Sequence, residues 1–332
     1  MTIAILFGGQ SAEHEVSLVS GKTLIAAAKE AGFAPVPVLI HKDGLWGIDG
    51  DQTRLPPEVA VAKLRSLGVA AVFPITHGTG GEDGKLQGFL QTNDIPYVGC
   101  DVLGSVLCMD KVAQKLLCKA EGIPVTPFVW TTQGDWEDDP KTFFHKVQTL
   151  SVPLFVKPSN QGSSVGITKI DILTEQALSD ALQEAFPYDS RVLVEQGVVM
   201  AREIEIAVWE EGETLHHSPP GELQVHNAAF YTYDAKYVQD DTEAIIPAEI
   251  SRTTKEEIHA IVRRAWTLLA CRDFARIDFF LDEQGTVLLN EINTLPGMTA
   301  ISMFPKLFAQ ANIPLSHIVR SLIERAVQRS TT

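Results

Sequence analysis

The sequence predicts an α/β protein of two or three domains with α+β character in its later part, and three stretches carry that prediction. Residues 3–7 are an apolar run that passes through Gly8-Gly9 into a helical pattern over 12–31. Strand, glycine turn, helix is how a doubly wound α/β domain begins. Residues 153–170 read as strand, polar glycine loop, strand, and residues 275–302 as two strands and a Pro-Gly break. At 332 residues the chain is too long for one compact core.

Composition narrows the function classes. Apolar content is 45% and charged content 21%, ordinary for a water-soluble globular chain. No apolar run approaches the ~20 residues that span a bilayer. Met1-Thr-Ile-Ala-Ile-Leu-Phe lacks a basic leader and reads as a first strand, not a signal peptide. The formal net charge of −15 argues against a nucleic-acid or acidic-membrane partner. The four cysteines form no CxxC, which points to free thiols in a reducing cytosol.

Taken in order, the helix over 12–31 holds Glu13 and Glu15 in its first turn, where the macrodipole favours acids. A dinucleotide fingerprint is absent, because Gly8-Gly9 is not GxGxxG and no acid follows the strand near 35–40. Residues 70–75 form another buried strand. Its end delivers His77 at a strand's carboxyl edge, where open α/β sheets bind ligands. Residues 95–99 close the first domain. Met109-Asp-Lys111 opens a helix to Glu121, stopped by Gly122-Ile-Pro124. Residues 133–149 read as an exposed connection plus helix.

The stretch Lys157-Pro-Ser-Asn-Gln-Gly162-Ser163-Ser164-Val-Gly166 follows an apolar strand. Small residues let backbone N–H groups approach phosphate oxygens, and the lysine supplies charge. It is not a P-loop, since GxxxxGK[ST] is missing. Residues 192–196 are a strand bearing Glu195, and 202–208 a half-buried strand bearing Glu203 and Glu205. Residues 230–237 lie in a long aperiodic stretch that suits a lid or a partner loop. Residues 253–271 read as an amphipathic helix and 313–328 as a terminal one.

The hairpin over 275–302 carries the densest chemistry. A four-residue turn at 282–285 pairs Leu281 with Thr286, setting Asp278 opposite Leu289 and Arg276 opposite Glu291. Arg276, Asp278, Glu291 and Asn293 then project from one face. Unpaired charges buried there are costly, and a hard divalent cation explains the set. Asp278, Glu291 and Asn293 can ligate Mg2+, while Arg276 faces a phosphate. A surface hairpin with a salt bridge is the alternative, but Phe279, Phe280, Leu288, Leu289 and Ile292 suit a covered sheet. Backbone amides of the turn at 294–298 can hold an anion or an oxyanion.

Glu291-Ile-Asn-Thr-Leu-Pro-Gly297, with Arg276-Ile-Asp278 before it, resembles the end of an ATP-grasp ligase, in particular the D-alanine–D-alanine ligases. The motifs Gly8-Gly-Gln-Ser-Ala-Glu13, His77-Gly-Thr-Gly-Gly-Glu-Asp-Gly84 and Lys157 to Gly166 extend the resemblance from Ile3 to about Ala326. It implies an ATP-grasp fold with a Rossmann-like N-terminal domain. The domains are then 1–100 with the first D-alanine site, 101–194 with the phosphate loop, and 195–332 with the lid and metal site. Glu13, Ser163 and Tyr237 correspond to a hydrogen-bonded set over the first D-alanine, and His77 to a further contact with it. Lys111, Lys157, Ser164, Glu195, Glu203 and Lys236 correspond to nucleotide contacts. Arg276, Gly297 and Ser302 correspond to the site of the second substrate's carboxylate. Ala201 stands where the family often has glycine. The resemblance further implies two divalent ions, Mg2+ or Mn2+, a cytoplasmic homodimer, and a role in peptidoglycan precursor synthesis. The rival readings are a D-alanine–D-lactate or D-alanine–D-serine ligase and a non-catalytic nucleotide-binding protein.

Overall fold

A computed structural model describes residues 1–51, 53–225 and 242–329. The first unit comprises β1 (Thr2–Gly8), α1 (His14–Glu30), β2 (Ala34–Ile40), β3 (Trp46–Ile48), α2 (Pro57–Ser66), β4 (Val69–Pro74) and α3 (Lys85–Thr92). Its sheet has the order β3-β2-β1-β4, with β1 parallel to both neighbours. Buried on both faces, β1 needs no alternation, which is why 3–6 are all apolar and fully buried. Helix α1 lies close on β1 because Gly21 has no side chain; a Cβ there would sit 2.5 Å from Phe7 Cγ. Ser17 on α1 fastens the strand ends by donating to Ile75 O (2.6 Å) and accepting from Gly8 N (2.8 Å).

The second unit begins with α4 (Val102–Met109) and α5 (Lys111–Ala120). Both start at aspartate caps: Asp101 accepts from Gly104 N and Asp110 from Ala113 N. It continues through β5 (Phe128–Thr132), α6 (Gln133–Asp138), α7 (Pro140–Val147), β6 (Leu154–Pro158), β7 (Thr168–Ile170), α8 (Glu175–Ala185) and β8 (Arg191–Gln196). The antiparallel sheet has the order β5-β8-β6-β7. Strand β8 runs past position 194, through the expected domain boundary. Strand β7 starts at Thr168, because residues 163–166 turn.

The third unit holds β9 (Arg202–Glu211), β10 (Thr214–His217), β11 (Gly221–Val225), β12 (Thr242–Ile245), α9 (Arg252–Leu268), β13 (Phe274–Leu281), β14 (Val287–Asn293), α10 (Met303–Gln310) and α11 (Leu315–Arg329). The sheet order is β12-β11-β9-β13-β14, with β10 beside β9. Helices α10 and α11 return to the first unit: Phe304, Phe308, Ile318 and Leu322 share one core with Ile3, Ile5 and Leu24. Asp273, fully buried, locks the junction by accepting from Arg329 Nη1 and Nη2 (both 2.7 Å) and Gly99 N (2.8 Å). Among the described residues no helix is long and apolar enough to cross a membrane.

The hairpin register differs from the expected one. Leu281 pairs with Val287, so the turn has five residues, and Asp278 faces Glu291 while Arg276 faces Asn293. The odd turn alone would send Glu291 to the far face. A bulge at Asn290, between Asp278↔Glu291 and Phe279↔Leu289, adds one more residue and restores the parity. The four polar residues therefore share a face, through two offsets that cancel.

Candidate active site

Two cavities meet between the units. The first, about 50 Å³, is lined by Glu13, His77, Glu82, Arg276 and the turn Thr294–Gly297. The second, about 90 Å³, lies between the sheets of the second and third units; Lys115, Lys157, Ser164, Glu195, Glu203 and Phe280 line it. Both share Lys111, Gln161, Gly162, Ser163 and Glu291. A larger cavity of about 320 Å³ between Asp94, Tyr97, Arg272 and Arg329 holds none of the candidate residues.

In the first cavity, Glu13 occupies the N-cap position of α1 but makes no side-chain capping bond. Its Oε1 accepts a hydrogen bond from Ser163 Oγ, which ties the glycine loop to the first unit. Ser163 and Ser164 have φ of 49° and 61°, left-handed values uncommon for residues with a Cβ. Gly78 (φ +72°) gives Glu13 room, since a Cβ there would stand 2.5 Å from its Oε2.

His77 is buried, and both ring nitrogens are engaged. Nδ1 lies 2.9 Å from Leu295 O, so it donates, and Nε2 then accepts from Ser20 Oγ at 3.1 Å. Burial lowers its pKa, in keeping with a neutral ring. Ser20 Oγ also accepts from Met298 N (3.1 Å). Glu82 takes Gly78 N on Oε2 (2.8 Å) and Leu295 N on Oε1 (3.1 Å). Burial, and then the charge of Glu13, push its carboxyl up to about 8. The turn at 294–298 is thus held from the first unit by Ser20, His77 and Glu82. Gly297 lines the cavity, while Ser302 packs behind it; a Cβ on Gly297 would stand 2.8 Å from Ser302 Oγ, which bonds Thr299.

Arg276 grips Asp278 with two hydrogen bonds (2.8 and 2.7 Å) and makes ionic contact with Glu205 Oε2 at 3.0 Å. Asn293 Nδ2 donates to Asp278 Oδ2 (3.1 Å). Asp278, Glu291 and Asn293 therefore present oxygen donors on one sheet face, a hard set that fits Mg2+ or Mn2+. Among the described residues no group of three or more His, Cys, Asp or Glu side chains is placed to hold a metal, so the candidate set depends on the asparagine.

In the second cavity, Lys111 Nζ donates to Gln161 O of the glycine loop. Asp110 stitches α5 to the same loop by accepting from Ser159 Oγ (2.7 Å) and pairing with Arg191. Glu195 is buried and pairs with Lys157 on Oε2 and Lys115 on Oε1 (2.6 Å). Burial alone would raise its pKa, yet the two ammonium groups hold it at about 2. Glu203 lines the wall formed by β9. Lys236 and Tyr237 lie outside the described residues. Lys115, Glu82 and Ser20 were not among the residues expected from the sequence; Lys115 stands four residues after Lys111, on the same helix face.

Residues 2–100 match the family described as D-ala D-ala ligase N-terminus, and residues 117–324 the D-ala D-ala ligase C-terminus. The chain is 38% identical to D-alanine–D-alanine ligases of Caldicellulosiruptor bescii, covering 99% of this chain and 96% of that one, and of Enterococcus faecalis, covering 99% of each. Among solved structures it is similar to D-alanyl-alanine synthetase A from Vibrio cholerae, with a TM-score of 0.84, 31% identity and 99% and 98% of the two chains covered. It is equally similar to the D-Ala:D-Ser ligase VanG from Enterococcus faecalis, with a TM-score of 0.84, 31% identity and 98% and 99% covered.

Proposed function

Because the chain belongs to the D-alanine–D-alanine ligase family, we propose that its two joined cavities carry out a single ATP-dependent ligation. The protein is an ADP-forming ligase with the ATP-grasp fold, and its reaction is ATP + 2 D-alanine → D-alanyl-D-alanine + ADP + phosphate. The observation that carries the site assignment is the shared wall of Lys111, Gly162, Ser163 and Glu291. It brings a phosphate-binding loop and an amino-acid pocket to one boundary, where a carboxylate can meet a γ-phosphoryl group.

In this reading a carboxylate oxygen of the first D-alanine attacks the γ-phosphorus. The bond to the β–γ bridging oxygen breaks, ADP leaves, and an acyl phosphate forms. The deprotonated amine of the second D-alanine then attacks the acyl carbon, the C–N bond forms, and phosphate departs. Glu13 faces the first substrate's ammonium, and Ser163 orients Glu13. His77, neutral, fixes the turn that offers the Gly297 amide. Arg276 and that amide meet the second substrate's carboxylate, with Ser302 supporting the turn. Lys111 and Lys157 offset phosphate charge, with Ser164, Glu203 and the segment at Glu195 forming the rest of the nucleotide wall. Positioning and charge compensation of this kind are most of what phosphoryl transfer asks of a protein. Asp278, Glu291 and Asn293 would hold Mg2+ or Mn2+, which when bound neutralises phosphate oxygens. Work in the cytoplasm as a homodimer, in cell-wall precursor synthesis, completes the proposal.

The similarity to a D-Ala:D-Ser ligase makes the second amine the point to test. Product analysis with D-alanine alone and with added D-serine or D-lactate should give D-alanyl-D-alanine as the main product at neutral pH. D-alanyl-D-serine or D-alanyl-D-lactate as the main product overturns the substrate assignment.

A further inference from the structure

Lys115 is one of the largest fully buried side chains among the described residues, although lysine normally keeps its ammonium in water. Its Nζ lies 2.6 Å from Glu195 Oε1 and donates to Thr126 Oγ1 at 3.0 Å, and Thr126 Oγ1 donates to Glu195 Oε1. Glu195 Oε2 is taken by Lys157. The two lysines differ in access. Both line the cavity with Ser163 and Ser164, but the side chain of Lys115 is 1% exposed and that of Lys157 13%. Two cations thus share one buried anion, and Lys157 is the more accessible of the two.

A buried carboxylate that loses its last cation is strongly disfavoured. If Lys157 were the sole partner of Glu195, a nucleotide phosphate would have to take Lys157 by stranding that carboxylate. With Lys115 and Thr126 on Oε1, Lys157 leaves a carboxylate that is still paired and hydrogen-bonded. We propose that Lys115 is a positioning residue for nucleotide binding, acting as the standing counter-ion of Glu195 that frees Lys157 to pair with phosphate. The inference rests on the assignment of the second cavity to ATP and adds a residue and a role to it.

The test is calorimetric titration of ATP, with adenosine measured by competition, on wild type, Lys115→Met and Lys115→Met/Glu195→Gln. The readout is the ratio of the adenosine Kd to the ATP Kd, which cancels any contact of Glu195 with the base. Lys115→Met pins Lys157 on Glu195, so the ratio should fall tenfold or more. In the double variant residue 195 is neutral and Lys157 is free, so the ratio should return to within threefold of wild type. A purely structural ion pair weakens ATP and adenosine alike. An unchanged ratio in Lys115→Met, or a double variant no better than the single one, overturns the role. Should Lys115→Met not fold, the double variant, which removes both charges, decides: a tenfold lower ratio refutes the proposal. A wild type that does not bind ATP removes the nucleotide assignment itself and the inference with it. A wild type that binds ATP beside an indifferent Lys115→Met overturns the role of Lys115 alone.

Discussion

Ser163→Ala isolates the contact that joins the glycine loop to the first substrate's pocket. The hydroxyl of Ser163 donates to the carboxylate of Glu13, and Glu13 is only 8% exposed. Alanine keeps the Cβ and removes the donor, so the loop retains its shape while Glu13 loses an oriented partner. A hydrogen bond to a charged group contributes about 1.5–3 kcal/mol. At about 1.4 kcal/mol per decade, that predicts a fall in kcat/KM for D-alanine of about 10- to 150-fold. Ser163 is only partly buried, so the thermal midpoint should move by no more than about 4 °C. The assay is phosphate release at saturating ATP over a range of D-alanine concentrations, with calorimetric melting alongside. A variant with wild-type kcat/KM shows that the bond does not position the substrate. A variant that loses activity and stability together shows that it serves folding instead.

Glu291→Gln keeps the shape of one side chain proposed to bind metal and removes its charge at the boundary of both cavities. Turnover should fall by far more than the melting temperature, and near-wild-type turnover at saturating Mg2+ contradicts the metal assignment. Lys157→Ala should raise the Kd of ATP by about 10- to 150-fold, from one lost charge-assisted contact; unchanged affinity by calorimetry makes Lys157 only a partner of Glu195. Glu82 gives a pH signature. Its folded pKa of about 8 stands above its ordinary 4.5, so between those values the folded chain keeps a proton that the unfolded chain releases. That contribution is complete below the lower value and is lost as pH rises through the upper one. Wild type should therefore lose more denaturant stability than Glu82→Gln between about pH 5 and pH 8.5, and equal losses dismiss the carboxyl as the cause.

Much of the site was legible because its residues fall in short-range patterns. The period of two along β13 and β14 puts Arg276 with Asp278 and Glu291 with Asn293, and the two pairs share a face because the longer turn and the bulge cancel. The register itself was not legible. A bulge at Asn290 is set by how β14 lies against β13, and a five-residue turn resembles a four-residue one in composition. Lys115 was hidden because a lysine on a helix ordinarily reads as solvated. Its spacing from Lys111 was the one signal that it faces the same cavity. The clamp of Ser20, His77 and Glu82 on the turn at 294–298 spans more than 200 positions of sequence, beyond any local pattern. Strand β10 had a usable signal in Gly212, whose φ of +59° turns the chain back along β9. Helix α10 was missed because the Pro-Gly break at 296–297 read as an ending, although Ser302 stands at its N-cap position.

The central claim is that a carboxylate from one cavity receives a phosphoryl group from the other before the amine arrives. Oxygen-18 transfer tests it most directly. D-alanine labelled in both carboxylate oxygens is incubated with ATP in unlabelled water, and the released phosphate is analysed by mass spectrometry. The account predicts one labelled oxygen in each phosphate for each D-alanyl-D-alanine formed. Dipeptide formation with unlabelled phosphate contradicts it.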